Sequence, residues 1–397
     1  MNQERRRDIM DQDLMALTHT ADEYDRYLHA VVPPVFMNSL HVYDRFEDYC
    51  NVDVFKDDEY IYGRSSNPTV HVLERKIAAL EHGSRAVVFS SGMAACTAAI
   101  MATCKAGSHL ICMKNIYEPI KRFLSTVGIP NLNFSVTYVS GNDLQEIEDS
   151  IQENTALMIL ESPATFVFRV IDIEAVTAIA RKHNVKTYID NTCLTPIFQK
   201  PLDMGVDIVM HTMSKYIGGH SDIIGGVLVS KDEELMRRMM EEMREWFGGI
   251  IGPMEGWLAI RGLRTLEVRM KRHQQVAMAV AEYLEKSDKV KEVYYTGLAS
   301  HPQADIIKRQ QKGHSSLMSI ELDASTEKAI EFIDHLRLFG KGCSWGGFES
   351  LALCPVYMEP EEEVKTLGVD RGLIRLYCGL EGEENLLEDI EAALKLL

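Results

Sequence analysis

No Cys-x-x-Cys pair occurs in this chain, and its 8 cysteines and 13 histidines form no cluster with metal-ligand spacing. That excludes a structural zinc or iron–sulfur reading, and scattered thiols point to a reducing, cytoplasmic compartment. Positive charge is also short: 42 lysines and arginines face 59 aspartates and glutamates, for a net charge of -17. Nucleic acid, whose phosphates demand a basic face, is not an expected partner. The start of the chain, MNQERRRDIMDQD, has charges on both sides of its only apolar residues and does not read as a signal peptide. One uncharged stretch, residues 86–104, is long enough to imitate a membrane span, but Ser90, Ser91 and Gly92 interrupt it. It reads as a buried strand–turn–helix, so no membrane partner is expected. Neither G-x-G-x-x-G nor a Walker pattern accompanies the glycine pairs at 218–219 and 225–226, which weakens a nucleotide-binding reading.

What is present is material for a large core and more than one domain: 397 residues, 46% of them hydrophobic. From about residue 70 to 230, apolar runs alternate with amphipathic segments. The runs at 86–89, 110–113, 134–139, 156–160, 187–189 and 208–210 read as successive strands, and 223–229 as another. Between them lie patterns such as 173–183, with Asp172 as N-cap and Ile173, Val176, Ile179 and Ala180 on one face. Such alternation predicts an α/β protein with a mostly parallel sheet, whose ligands lie beyond the carboxyl ends of the strands. Cys96, Cys104 and Cys112 recur every eight residues across a helix and the next strand, and read as packing residues. A charged helix over 231–246 runs into the glycines and proline of GGIIGP, a domain boundary, and one long helical pattern over 254–286 follows. The expected division is an N-terminal arm, 1–60, a large domain, 61–253, and a smaller C-terminal domain, 254–397.

The stretch HTMSKYIGGHSD places Lys215 in a glycine-flanked loop between two apolar strands. Desolvation there lowers the pKa of an amine and frees its lone pair to attack a carbonyl. The hydroxyls of Thr212 and Ser214 beside the glycine turn can hold a phosphate, so lysine and cradle together suggest pyridoxal 5'-phosphate held as a Schiff base. The competing reading is a solvated loop lysine. Partners for the first reading exist along the chain. The turn Ser90-Ser91-Gly92-Met93 follows a strand and opens a helix, where N–H groups and the helix dipole meet an anion, although an ordinary βα turn looks the same. Asp190 ends the strand KTYID, where a carboxylate can keep a pyridinium nitrogen protonated or simply cap a turn. Tyr117 follows the strand LICM and is placed to stack on a ring. Arg375 lies in the alternating run GLIRLYCGLE; facing inward it needs an anion, either a substrate carboxylate gripped by two prongs or a structural partner.

Together with Tyr62-Gly63-Arg64-Ser65-Ser66-Asn67-Pro68-Thr69, these motifs resemble, in order, those of the Cys/Met-metabolism family of pyridoxal-phosphate enzymes, over about residues 30–397. Within that trans-sulfuration family, YEPIKRF, GPMEGWLAIRGLRTLEVRMKRH and SWGGFES are similar to segments of bacterial cystathionine β-lyases, Trp345 in the last of them above all. The resemblance implies the aspartate-aminotransferase-like fold (PLP fold type I), with a seven-stranded sheet in the large domain and a C-terminal α+β domain, assembled as a homotetramer of two tight dimers. It implies that Lys215 binds the cofactor and shuttles protons, that Asp190 pairs with the ring nitrogen, and that Tyr117 stacks and acts as acid or base. It further implies that Gly92, Met93, Thr212 and Ser214 hold the phosphate with Tyr62 and Arg64 of a neighbouring subunit, and that Ser344, Trp345 and Arg375 bind the substrate, with no metal. The implied activity is carbon–sulfur β-elimination from cystathionine or a related sulfur amino acid such as cystine, the alternative being a γ-lyase or γ-synthase on the same scaffold. Glu118, Thr165, Cys343 and Cys354 depart from the family's usual residues and bear on the substrate. Glu118 is expected to add negative charge near the site.

Overall fold

The computed structural model describes residues 11–397, so the charged start of the chain, part of the expected arm, lies outside the described residues. Seven strands form one sheet: β1 (Arg85–Phe89), β2 (His109–Met113), β3 (Ser135–Val139), β4 (Thr155–Glu161), β5 (Lys186–Asp190), β6 (Ile208–Thr212) and β7 (Gly226–Ser230). Their order is β1-β7-β6-β5-β4-β2-β3, and each overlaps the run expected for it. Only β7 breaks the parallel arrangement, running antiparallel to both β1 and β6. Apart from β3, SVTYV at the sheet edge, the strands are mostly buried along their length because both faces are covered. Ala86, Val88, Ile111 and Met113 enter the core on one face, while Val87, Phe89, Leu110 and Cys112 enter the core on the other.

Three helices matter for the site: α1 (Pro68–Leu80), α2 (Gly92–Thr103) and α3 (Ile173–Lys182). In α3 the expected cap is present, the Asp172 carboxylate accepting from the Ala175 N–H at 3.2 Å. The uncharged stretch is strand β1, a turn and helix α2, and no described helix is long and apolar enough to cross a membrane. Cys96 and Cys112 are buried packing residues, and Cys104 is half-buried.

Two helical expectations are corrected. The pattern over 254–286 is not one helix but two, α4 (Pro253–Leu263) and α5 (Leu266–Glu285). At the break, the Thr265 hydroxyl donates back to the Gly262 carbonyl at 3.3 Å and accepts from Arg269 Nε at 3.1 Å, offering the chain a local alternative to the helix ladder. Arg264 meanwhile turns to Asp22, which is buried and also pairs with Lys76 at 2.9 Å. The charged helix over 231–246 is α-helical over Glu233–Arg238, widens into a π-helical segment, Met239–Arg244, and returns to α-helix at Glu245–Phe247. The π-helical segment ends with Arg244 inside the protein, where it bonds Glu74 at 2.6 Å and the Ser65 carbonyl at 2.5 Å.

The C-terminal residues build a second sheet, ordered β10-β11-β12-β9-β8, from β8 (Val290–Tyr294), β9 (Leu317–Leu322), β10 (Gly340–Lys341), β11 (Leu351–Leu353) and β12 (Ile374–Tyr377). Alternation along β12 decides what reaches the site. Ile374 and Leu376 join the core beneath this sheet with α5, whereas Tyr377 joins the core of the large sheet, and Arg375 shares its direction.

Candidate active site

Lys215 follows β6 in a loop closed by main-chain bonds, Gly218 N–H to the Met213 carbonyl and Gly219 N–H to the Lys215 carbonyl, both at 2.8 Å. Its neighbours Tyr216 and Ile217 are buried, so the amine cannot swing out freely. Burial and the nearby Arg375 cation push its pKa down to about 8, against the opposing pull of Cys343 and Asp190. Its Nζ donates to the Ser344 hydroxyl at 2.5 Å and stands 5.3 Å from the centre of the Trp345 ring.

Asp190 is buried at the carboxyl end of β5 and accepts from the Thr192 N–H at 2.9 Å. Thr192 in turn accepts from the Thr212 N–H at 2.8 Å, tying the ends of β5 and β6 together. Burial raises the Asp190 pKa, opposed by the bond from Thr192 and the charges of His211 and Lys215. The α2 N-terminus opens beside them. Ser91 caps it, accepting from the Ala94 N–H at 3.0 Å, and leaves the first N–H groups, those of Gly92 and Met93, without helical acceptors. A Cβ on Gly92 would fall 2.1 Å from the Thr212 hydroxyl, so only glycine lets that hydroxyl reach the helix end. Ser214 completes the set, its hydroxyl accepting from the Gly225 N–H at 3.2 Å.

The C-terminal residues close over this cleft. Arg375 donates to the Ser344 carbonyl at 3.0 Å, and burial brings its pKa down to about 10. Ser344 has a positive φ of 82°, and Gly346, at 91°, would place a Cβ 2.7 Å from the Lys215 Cα. The loop therefore lies directly on the lysine's main chain, with Trp345 stacked obliquely on Tyr216 at 5.5 Å. Tyr117, 47% exposed, is held from behind by its N–H, which donates to Glu161 at 2.8 Å. These residues form a donor set that fits pyridoxal phosphate: an amine of lowered pKa, a buried carboxylate, and hydroxyls at a helix N-terminus for an anion.

Tyr62 and Arg64 are not drawn into this cluster. Among the described residues, Arg64 bonds the Glu245 carbonyl and carboxylate at 3.3 and 3.5 Å and covers the Tyr62 ring at 5.5 Å. Glu118 lies next to Tyr117 as expected, and its carboxylate is paired with Lys121 at 2.8 Å, one helical turn on. Cys343 is exposed at the cleft, and Cys354 packs against the C-terminal core. Glu161, which the sequence reading assigns no role, lies in register with Asp190 and receives bonds from Tyr117 and Thr165.

Residues 15–395 match the family described as Cys/Met metabolism PLP-dependent enzyme. The L-alanine/L-glutamate racemase of Wolbachia pipientis wMel is 36% identical over 393 residues, covering 96% of each chain. Cystathionine beta-lyase of Coxiella burnetii is 36% identical over 380 residues, covering 95% of this chain and 96% of its own. The crystal structure of cystathionine gamma synthase from Xanthomonas oryzae pv. oryzae, in complex with aminoacrylate and cysteine, superposes with a TM-score of 0.91 at 33% identity. The match covers 97% of this chain and 98% of that one. The chain therefore belongs to the Cys/Met metabolism family of PLP-dependent enzymes, with the type I fold and the cofactor which that family carries.

Proposed function

We propose that this enzyme is a carbon–sulfur β-lyase, cleaving cystathionine or a related sulfur amino acid such as cystine to a thiol, pyruvate and ammonia. The observation that carries the reading is the clasp on Lys215, with the Ser344 hydroxyl at 2.5 Å and the Trp345 ring at 5.3 Å. β-Elimination asks a base for one proton, from Cα. γ-Elimination asks for a second, from Cβ, and so for an amine that travels. An amine held between Ser344 and Trp345 suits the shorter task.

When bound, pyridoxal phosphate supplies an electron sink for negative charge at Cα. The residues do the rest. Arg375 and the Ser344 main chain bind the substrate carboxylate and point Cα at Lys215. Lys215 Nζ takes the α-proton; the freed electron pair expels sulfur from Cβ, which leaves as a thiol after taking a proton, and water hydrolyses the released aminoacrylate to pyruvate and ammonia. Tyr117, over the ring, is the acid or base for that second transfer. Asp190 holds the positive charge of the ring nitrogen. Gly92, Met93, Thr212 and Ser214 hold the phosphate, with Tyr62 and Arg64 of a second copy of the chain.

That last assignment makes the enzyme a homo-oligomer, read as a tetramer of two tight dimers in the cytoplasm. Large apolar side chains along the arm support it: Leu28, Val42 and Phe46 are 95%, 86% and 80% exposed. The chain is read as an arm over 1–60, a cofactor-binding domain over 61–253 and a C-terminal domain over 254–397.

Incubation with cystathionine tests the reaction. Pyruvate and homocysteine support β-elimination, whereas 2-oxobutyrate and cysteine support the γ-lyase alternative, which the likeness to a γ-synthase favours. With L-alanine supplied as substrate instead, racemisation without a keto acid would align this enzyme with its Wolbachia relative.

A further inference from the structure

The two strands that carry the site's deepest carboxyl groups end side by side. Glu161, the last residue of β4, and Asp190, the last of β5, are register partners in parallel strands, so their side chains leave the sheet on the same face about 5 Å apart at the backbone. Both are buried. Two carboxylates so placed cannot both ionise without a compensating cation.

Their surroundings differ. Asp190 accepts from the Thr192 N–H and feels the positive groups His211 and Lys215. Glu161 faces Asp190 and, from the elements packed against it, Tyr117, Cys96, Cys112, Tyr188 and Cys193. None of these six is a cation, and burial keeps the phenols and thiols among them in their neutral forms. One Glu161 oxygen accepts the Tyr117 N–H at 2.8 Å.

We propose that Glu161 is a positioning residue that works as a neutral acid: it fixes the Tyr117 loop through that N–H while leaving Asp190 as the one negative charge available to the cofactor. Desolvation, with the Asp190 charge second, pushes the Glu161 pKa up to about 8, which agrees with this division. A free carboxylate at Glu161 would compete with Asp190 for the ring proton and weaken its hold. Glutamine, of the same shape and permanently neutral, should then stand in for it, and alanine should not. The inference does not depend on which carbon–sulfur bond is cut.

The test compares Glu161→Gln and Glu161→Ala with the wild-type protein, beginning with infrared spectra of the cofactor-free forms. At about pH 6 the wild type should show a protonated-carboxyl C=O stretch that Glu161→Gln lacks, and the band should fade as pH rises through about 8. The folded-state pKa is raised, so the stability tied to this proton is present below the unfolded value of 4.5 and lost as pH rises through about 8. The Tm of Glu161→Gln should therefore gain on the wild type as pH rises from about 4.5 to about 8 and hold that gain above it. In the holoenzyme, Glu161→Ala should lower kcat/KM at least about ten-fold by stranding the Tyr117 N–H, with Glu161→Gln restoring most of it near neutral pH. A difference spectrum without the carboxyl band, or a Tm gap that does not change with pH, overturns the proposal. So does a glutamine variant as impaired as the alanine one, and that variant keeps the test open should alanine fail to fold.

Discussion

The amine of Lys215 and the indole of Trp345 face each other at 5.3 Å. An aromatic face favours the ammonium form, whereas burial and the Arg375 cation favour the free amine. Burial and Arg375 prevail, bringing the amine down to about 8. About a tenth of it is then neutral at pH 7, many-fold more than for a solvated lysine.

The first consequence concerns loading of the cofactor. Only the free amine attacks the aldehyde, so the rate at which apoenzyme takes up pyridoxal phosphate should rise with pH and level off above a midpoint of about 8. Stopped-flow visible absorbance reads it, and a flat profile from pH 6 to 9 would contradict the lowered pKa. Lys215→Ala should abolish borohydride-fixable absorbance and lower turnover by at least about a thousand-fold, with Tm nearly unchanged.

Arg375 should act on substrate capture more than on chemistry. Among the described residues its guanidinium hydrogen-bonds the Ser344 carbonyl alone, and a charge-assisted two-pronged contact is worth about 2–3 kcal/mol. Arg375→Ala should raise KM by about 30- to 160-fold with a much smaller fall in kcat. An unchanged KM would remove it from the substrate site.

Gly346 holds the C-terminal loop on the lysine's main chain. Its φ of 91° disfavours any side chain, and a Cβ would meet Lys215 at 2.7 Å. Gly346→Ala should cost about 1–3 kcal/mol in thermal unfolding and move the pH midpoint of cofactor uptake, because the loop carrying Ser344 and Trp345 must shift. A variant with wild-type Tm and midpoint would show that the loop is not seated as described.

The proposed crossing of Tyr62 and Arg64 has its own test in subunit mixing. Arg64→Ala and Lys215→Ala are each expected to be nearly inactive. Mixed dimers would contain one site with Lys215 from one chain and Arg64 from the other, restoring roughly a quarter of wild-type activity in an equal mixture. No recovery on mixing would place Arg64 in its own chain's site.

Much of the site is legible in the sequence because it is built at strand ends. Lys215, Asp190 and the Ser91-Gly92 turn each lie where an apolar run stops, and such boundaries are local. Arg375 is legible from the alternation of β12, which sends Ile374 and Leu376 one way and Arg375 the other. Glu161 is not, because its meaning depends on the register of β4 against β5, a pairing between residues 29 apart in the chain. The break between α4 and α5 escapes for a related reason: the helical period continues across Arg264 and Thr265, and tertiary contacts with Asp22 help end it. The pairing of Glu118 with Lys121 was within reach, since i,i+3 spacing on a helix is visible in YEPIKRF.

The central claim is that the amine held by Ser344 and Trp345 removes one proton, from Cα, and that sulfur leaves from Cβ. Product analysis with cystathionine as sole substrate tests it most directly. Equal amounts of pyruvate and homocysteine are predicted; 2-oxobutyrate and cysteine as the main products would contradict it.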